Sequence, residues 1–410
     1  MGMSETKKHI PHGWDSQPIG ALVTEQLKSN LNVSDATGEG KYPFFTSGEV
    51  VLRHSDNLVN GENLYLADGG VAEVKFYNGP AAYSNHTYVL KAKKQIVEGG
   101  YLYAFLDAHC SNVDYLYFQG TGLKNLQKKD FKSFPVLYPK DRSEQQRIVR
   151  LLTCIDEAIA KTEALIEKYR RIKQGMMHDL LTYGIDREGN IRSPKTHRFK
   201  PSPLGMIPEE WTVETLNRIA TNIEDCPHTT PLYRDSGILV ARTFCIKDGR
   251  YLDSISSYVS EQEYNERVSR LIPEEGDIIF TREAPIGEAF VIPKRMKICL
   301  GQRVMIIRTN RKFLIPSFFV LFNYSFRMQQ FYKSITGGTT VNHLNVADVK
   351  ELRIPLPTIK EQREICKKID ALNPLMEKEF ILFNKLQLQR KGLLNDLLTG
   401  KVRIPETVSI

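Results

Sequence analysis

The chain has 410 residues, 41% hydrophobic and 25% charged, the balance of a globular protein with length for two or three cores. Its longest apolar stretch, near Ile315 to Phe322, is too short to cross a bilayer, and Lys7-Lys8 is followed by His9, Pro11 and His12 rather than by an apolar segment, so neither a membrane anchor nor a secretory leader is expected. The 56 Lys and Arg against 48 Asp and Glu leave a net charge of +8, which permits but does not require nucleic-acid binding, and six scattered cysteines without a CxxC point to no disulfide framework, no zinc site and a reducing cytoplasm.

In chain order, residues 1–140 read as a mixed α/β unit with strand-like runs at Val74–Tyr77, Tyr88–Leu90 and Phe134–Tyr138. Residues 141–184 read as one long helix. Ile148, Leu152, Ile155, Ile159, Ile166, Tyr169, Met176 and Leu180 follow alternating steps of four and three, interrupted by Thr162 and Lys173, which is a coiled-coil seam. Ser143-x-x-Gln146 is a capping box at its start and Tyr183-Gly184 an exit. Residues 185–208, rich in proline and basic residues, read as a linker. A second mixed α/β unit is expected over 209–357, with strands at Asp277–Phe280, Ala289–Ile292 and Val304–Ile307.

Residues 358–410 open with Thr358-x-x-Glu361 and repeat the seam with Ile365, Ile369, Leu372, Met376, Phe383, Leu386, Leu393 and Leu397, ending at Gly400. Its polar sites, Glu379 and Arg390, fall on the steps of Thr162 and Lys173. Pro374, with Asn373 as cap, should kink or restart this helix.

The two halves repeat. Glu144–Thr182 matches Glu361–Thr399 at a constant offset of 217 with eleven identities, including Glu144-Gln145 against Glu361-Gln362 and Asp179-Leu-Leu-Thr182 against Asp396-Leu-Leu-Thr399. Gly13-Trp14 answers Glu210-Trp211, Gly120–Leu126 answers Gly338–Leu344, and Ser84-Asn85-His86 answers Gly301-Gln302-Arg303. Two related stripes in one chain can bury each other. The expected fold class is therefore α/β: two mixed α/β domains joined by two long antiparallel helices forming a coiled coil, as a pseudo-two-fold internal repeat.

A shared frame with divergent loops indicates one recognition task performed on two targets. Basic, amide, hydroxyl and aromatic side chains suited to base edges and phosphates are Phe44, Phe45, Thr46, Ser47, Arg53, Asn85, His86 and Lys124 in the first unit. In the second they are Thr229, Thr230, Arg242, Arg282, Gln302, Arg303, Thr339, Thr340, Asn342 and His343. Lys161, Lys168, Lys378 and Lys385 recur on the helices, as a partner-facing or a solvated row.

Motifs of catalysis are lacking. No Asn/Asp-Pro-Pro-aromatic clamp, P-loop, GxSxG or HExxH occurs. Phe118-Gln-Gly-Thr-Gly122 imitates a methyltransferase cofactor loop, but it has a repeat partner and reads as structural. Asp68 with Glu73 and Lys75 imitates a nuclease triad of a kind that arises by chance. The competing readings are a stand-alone nuclease or methyltransferase built on these residues, and a coiled-coil adaptor with no DNA role.

Glu-Gln at each helix start and Asp-Leu-Leu-Thr at each end, with Arg171–Gly184, Gly205–Trp211, Tyr42–Gly48 and Gly338-Thr-Thr340, resemble the specificity subunits of type I restriction–modification systems over essentially the whole chain. The resemblance implies a subunit with no catalysis and no cofactor of its own. The α/β units would be target recognition domains, each reading half of a split double-stranded DNA site, with the helices as spacer. Two methyltransferase subunits and two restriction subunits would be its partners. Domains about 40–50 Å apart would span roughly 12–15 base pairs and face one side of the helix.

Overall fold

The computed structural model describes residues 10–283, 285–336 and 343–405. The chain divides into two compact units, Met1–Leu165 with Glu379–Ile410, and Ile166–Lys378.

In the first unit, runs of β-branched and aromatic residues form an antiparallel four-stranded sheet ordered Val23–Glu25, Thr87–Ala92, Glu62–Ala67, Val74–Asn78. Beside it stands a three-stranded sheet, Leu52–His54, Tyr42–Phe45, Ala82–Tyr83, whose last pair is parallel. A ribbon of Trp14–Pro18 on Pro135–Pro139 closes the domain. The helices Gly99–Ala108 and Cys110–Tyr117 lay Tyr101, Leu102, Phe105 and Val113 on a core that includes Leu64, Leu90 and Phe131.

The second unit repeats the two sheets and the ribbon in the same order. Its four-stranded sheet is ordered Ala220–Asp225, Val304–Thr309, Ile278–Thr281, Ala289–Val291. Its three-stranded sheet is Ser257–Val259, Ile238–Ala241, Ile298–Leu300, with the same parallel pair, and the ribbon is Thr212–Thr215 on Arg353–Leu356. The core gathers Phe280, Phe318, Phe319 and Phe322.

The central helix runs unbroken over Arg142–Thr182, about 60 Å at 1.5 Å per residue. Its N-cap differs from the expected capping box. Asp141, not Ser143, accepts from the free backbone donors, taking Ser143 N at 2.9 Å and Glu144 N at 3.1 Å, because a carboxylate meets two donors where a hydroxyl meets one. Thr358 does cap its helix, accepting from Glu361 N at 3.2 Å. The reciprocal half of the box is missing, since the Glu361 carboxylate turns into the core instead. The C-terminal rod is two helices, Ile359–Asp370 and Asn373–Leu398, and it restarts at Asn373-Pro374 as the ring geometry of Pro374 demands.

Each unit contains part of both rods, and in each the two parts run antiparallel. In the first, Glu144 pairs with Arg403 and Asp156 with Arg390. In the second, Lys173 donates to Asn373 at 2.8 Å and Ile185 N donates to Glu361 at 2.9 Å. The polar steps of the seam are thus used twice in one way, because Asp156 and Asn373 are repeat equivalents, as are Lys173 and Arg390. Burial disfavours charge on Arg390, yet the carboxylates of Asp156 and Asp107 hold its pKa above the ordinary value.

The repeated Glu-Gln pairs are tie points. Gln145, fully buried, donates to Pro139 O at 2.7 Å and Ile96 O at 3.0 Å and accepts from Glu98 N at 2.7 Å. Gln362 does the same with Pro357 O at 3.0 Å, Phe313 O at 2.8 Å and Ile315 N at 2.9 Å. Both helix exits are left-handed glycines, Gly184 at φ +64 and Gly400 at φ +67. A Cβ on Gly184 would strike Trp211, and one on Gly400 would strike Pro11 and Trp14, so each tryptophan packs on the glycine that ends a rod.

Residues 185–208, expected as a linker without helical period, carry local strand pairing. Ile185 bridges Ile191, Phe199–Ser202 pairs with Gly205–Pro208 as a hairpin, and Arg192 is buried on Glu361. Gly205 at φ +85 makes the tight reversal, and the prolines stand at edge positions where no ladder donor is needed.

Candidate nucleic-acid interface

In the first unit, three loops meet at one end of the sheets. The Ser47 hydroxyl donates to His86 O and accepts from Asp68 N at 3.3 Å, while Asp68 N also donates to His86 O at 3.0 Å. Gly70 N reaches Lys124 O at 2.8 Å, which adds the loop between the strands Phe118–Gln119 and Asn125–Leu126. Asn85 is tied to Asn32 at 2.9 Å. Ser47, Asn85, His86 and Lys124 therefore share one surface.

The other candidates of this unit lie elsewhere. Phe44 is fully buried against His54, and Phe45 stacks on Tyr65 in the core. Thr46 is buried and accepts from Gly48 N at 3.2 Å. Arg53, on the strand opposite Pro43, donates to Gly40 O at 2.9 Å and Lys41 O at 3.2 Å, back along the sheet from Ser47.

Composition did not single out the cations that join this surface. Lys128 pairs with Asp68 at 2.7 Å, and Lys75 donates to Gly48 O at 2.6 Å. The Ala72 backbone N–H, followed by the Lys124 ammonium at 3.2 Å, holds the Asp114 carboxyl below its usual range. The dense lysines at 124, 128, 129 and 132 were the available signal for Lys128.

The second unit builds the same junction from different residues. Arg282 N donates to Arg303 O at 2.9 Å, Leu344 N to Arg282 O at 3.0 Å, and Gly301 N to Ala241 O at 2.9 Å. These bonds match Asp68–His86, Leu126–Asp68 and Ser84–Phe45 of the first unit, so Asp68 is replaced by Arg282, His86 by Arg303 and Thr46 by Arg242. Gln302 donates to His228 O at 3.3 Å, and buried Arg267 clamps the adjacent loop by donating to Thr229 O at 2.8 Å, leaving Thr229 and Thr230 exposed. His343 lies 3.7 Å from Glu283. Arg303 adopts φ +66, a left-handed conformation that is uncommon for a residue with a Cβ. Thr339, Thr340 and Asn342 lie outside the described residues.

The two loop junctions thus carry opposite local charge arrangements on one frame: Asp68 held by Lys128 in the first, Arg282 beside Asp225 in the second. Two arginines of the second junction face carboxylates: Arg282 sits 3.2 Å from Asp225 and Arg303 3.3 Å from Glu283. Arg242 instead lies over aromatic rings.

The features that imitated active sites have structural roles. Gly120, at φ +152, turns the Phe118–Leu126 hairpin so tightly that a Cβ would strike Leu123 O. Glu73 pairs with Lys75 at 2.9 Å while Asp68 is held by Lys128. Among the described residues no three His, Cys, Asp or Glu side chains are grouped to hold a metal ion. No described helix is long and apolar enough to cross a membrane.

Known proteins match this architecture. The model of the type I restriction modification DNA specificity domain matches residues 11–169 and again 209–380. The chain is 23% identical over 414 residues to the type I restriction enzyme MjaVIII specificity subunit of Methanocaldococcus jannaschii, covering 96% of this chain and 94% of that one. It is 24% identical to the EcoBI specificity subunit of Escherichia coli, over 67% of this chain and 56% of that one. The crystal structure of a type I restriction–modification S subunit from M. genitalium superposes with a TM-score of 0.64 at 16% identity, covering 98% of this chain and 99% of that one, and so shares its fold. With both halves matched separately by one domain model, the chain belongs to the type I restriction–modification DNA specificity family.

Proposed function

We propose that this chain is the non-catalytic specificity subunit of a type I restriction–modification complex. Each α/β unit reads one half of a bipartite, gapped double-stranded DNA site, and the helices set the gap. The observation that carries this reading is one sheet frame built twice, with three backbone bonds of its loop junction repeated while the side chains there change from Asp68, His86 and Thr46 to Arg282, Arg303 and Arg242. A frame so retained, with its chemistry so altered, serves recognition of two different sequences by direct readout.

The chemistry belongs to partners: two methyltransferase subunits bearing the methyl donor, and two restriction subunits. The complex works in the cytoplasm. Lys161, Lys168, Lys378 and Lys385 are exposed, with Lys161 also donating to Glu157 at 3.1 Å, and each is offered to the methyltransferase.

The test is to reconstitute the chain with its methyltransferase, methylate a genome lacking other adenine methylation, and read the modified motif. A two-part motif with an unspecified gap is expected. Adding four residues to both rods should lengthen the gap and keep both half-sites. Altered half-site sequences, or methyl transfer by this chain alone, would refute the assignment of roles.

A further inference from the structure

Arg242 differs from Arg282 and Arg303 in what surrounds its guanidinium. It ends the strand Ile238–Ala241, at the position held in the first unit by buried Thr46. Its Cζ lies 4.5 Å from the ring centroid of Tyr233 and 4.2 Å from that of Phe244. Its Nη1 donates to Ser257 Oγ at 3.2 Å, and no carboxylate pairs with it among the described residues. Nε and Nη2 make no hydrogen bond among those residues.

Every support of this guanidinium is itself anchored. Arg234 N, next to Tyr233, donates to Tyr258 O at 2.9 Å. Phe244 rides the turn Thr243–Cys245, closed by Cys245 N on Arg242 O at 3.0 Å, with the Cys245 side chain fully buried. Ser257 pairs with Val240 in the sheet. Tyr233 and Phe244 remain 39% and 45% exposed, so a partly open aromatic surface flanks the guanidinium. A long side chain is thereby held in one plane, with its ordering cost met before any ligand arrives.

We infer that Arg242, stacked on Tyr233 and Phe244 and pinned by Ser257, is a specificity-determining residue that reads one guanine of the half-site recognised by the second unit. The planar fork matches the O6 and N7 acceptors that guanine alone presents together in the major groove. Arg282 and Arg303, whose charge Asp225 and Glu283 already balance, shape the loops around it. The first unit, with Thr46 at the equivalent position, makes no such contact. This inference rests on the DNA-reading function proposed above.

The test uses the chain in complex with its methyltransferase partner. Methylation is measured on duplexes randomised one base pair at a time across the recognised site, for the wild type, Arg242→Ala, Arg242→Lys and Tyr233→Ala. The Ala and Lys variants should lose about 5- to 150-fold of the preference for guanine at one position of one half-site. Tyr233→Ala should weaken preference at that same position, while the other half-site stays as selective as before and reports that each variant is folded. The inference is overturned if the variants keep wild-type preferences at every position. It is equally overturned if Arg242→Ala lowers methylation of all duplexes evenly with a shallower salt dependence, which marks a phosphate contact, or if the half-site contains no guanine on either strand. A wild-type complex that methylates no bipartite site would instead defeat the proposed function itself.

Discussion

Glu361 should be among the costliest residues of the second unit to remove. Its carboxylate is buried and receives Arg192 Nη1 at 2.5 Å, Arg192 Nη2 at 3.3 Å, Ile185 N at 2.9 Å and Trp211 Nε1 at 3.1 Å. Arg192 is equally buried, and its other carboxylate, Glu210, is solvent-exposed at 3.7 Å. Glu361→Ala leaves a guanidinium uncompensated in the interior, which costs about 3–5 kcal/mol. At about 2–4 °C per kcal/mol for a unit of this size, the melting temperature of the second unit should fall by about 6–20 °C. The fully buried Trp211 donates directly to the lost carboxylate, so its fluorescence in a Trp14→Phe background reports the transition locally. Arg192→Ala should also destabilise, and the double variant should be more stable than the sum of the two losses, since neither charge is then stranded. A Glu361→Ala protein that melts with the wild type, or strictly additive losses, would refute the reasoning.

In the first unit, burial opposes ionisation of Glu98, but hydrogen bonds from Arg142 and Gln146 hold its pKa below the ordinary 4.5. A carboxyl depressed on folding contributes stability above its unfolded pKa and loses it as pH falls through the folded value, so Glu98→Gln should flatten the acid limb of unfolding below about pH 4.5. An unchanged limb would show that Glu98 does not contribute there. Gln145→Leu strands two carbonyls and one amide in the interior and should destabilise the first unit by about 3 kcal/mol or more, read by denaturant titration. A loss under about 1 kcal/mol would contradict the tie-point role. Burial pushes the thiol of Cys366 up to about 12 and those of Cys299 and Cys110 to about 11, whereas Cys154 is exposed. A thiol reagent at neutral pH should therefore label Cys154 first in the native protein, and prior labelling of Cys366 would disprove the packing around the second rod's start.

The helices were legible because their information is local. A seam of apolar residues at steps of four and three is written along the chain itself, and so were the break at Asn373-Pro374 and the glycine exits. The repeat was legible because it places two sequences side by side, and the four-stranded and three-stranded sheets of the two units share one strand order.

The roles of individual loop residues were not legible, since they depend on partners far along the chain. Phe44 and Thr46 stand within three residues of Ser47 in sequence, but packing buries the first two while the hydroxyl of Ser47 reaches Asp68 and His86. The linker composition of residues 185–208 concealed a hairpin, because proline at an edge strand and proline in an open segment look alike until a pairing strand is present. Arg242, Arg282 and Arg303 were indistinguishable as three basic residues. Only the tertiary structure sets Asp225 and Glu283 beside two of them and aromatic rings beside the third, because charge compensation is a matter of distance in space and not of order along the backbone.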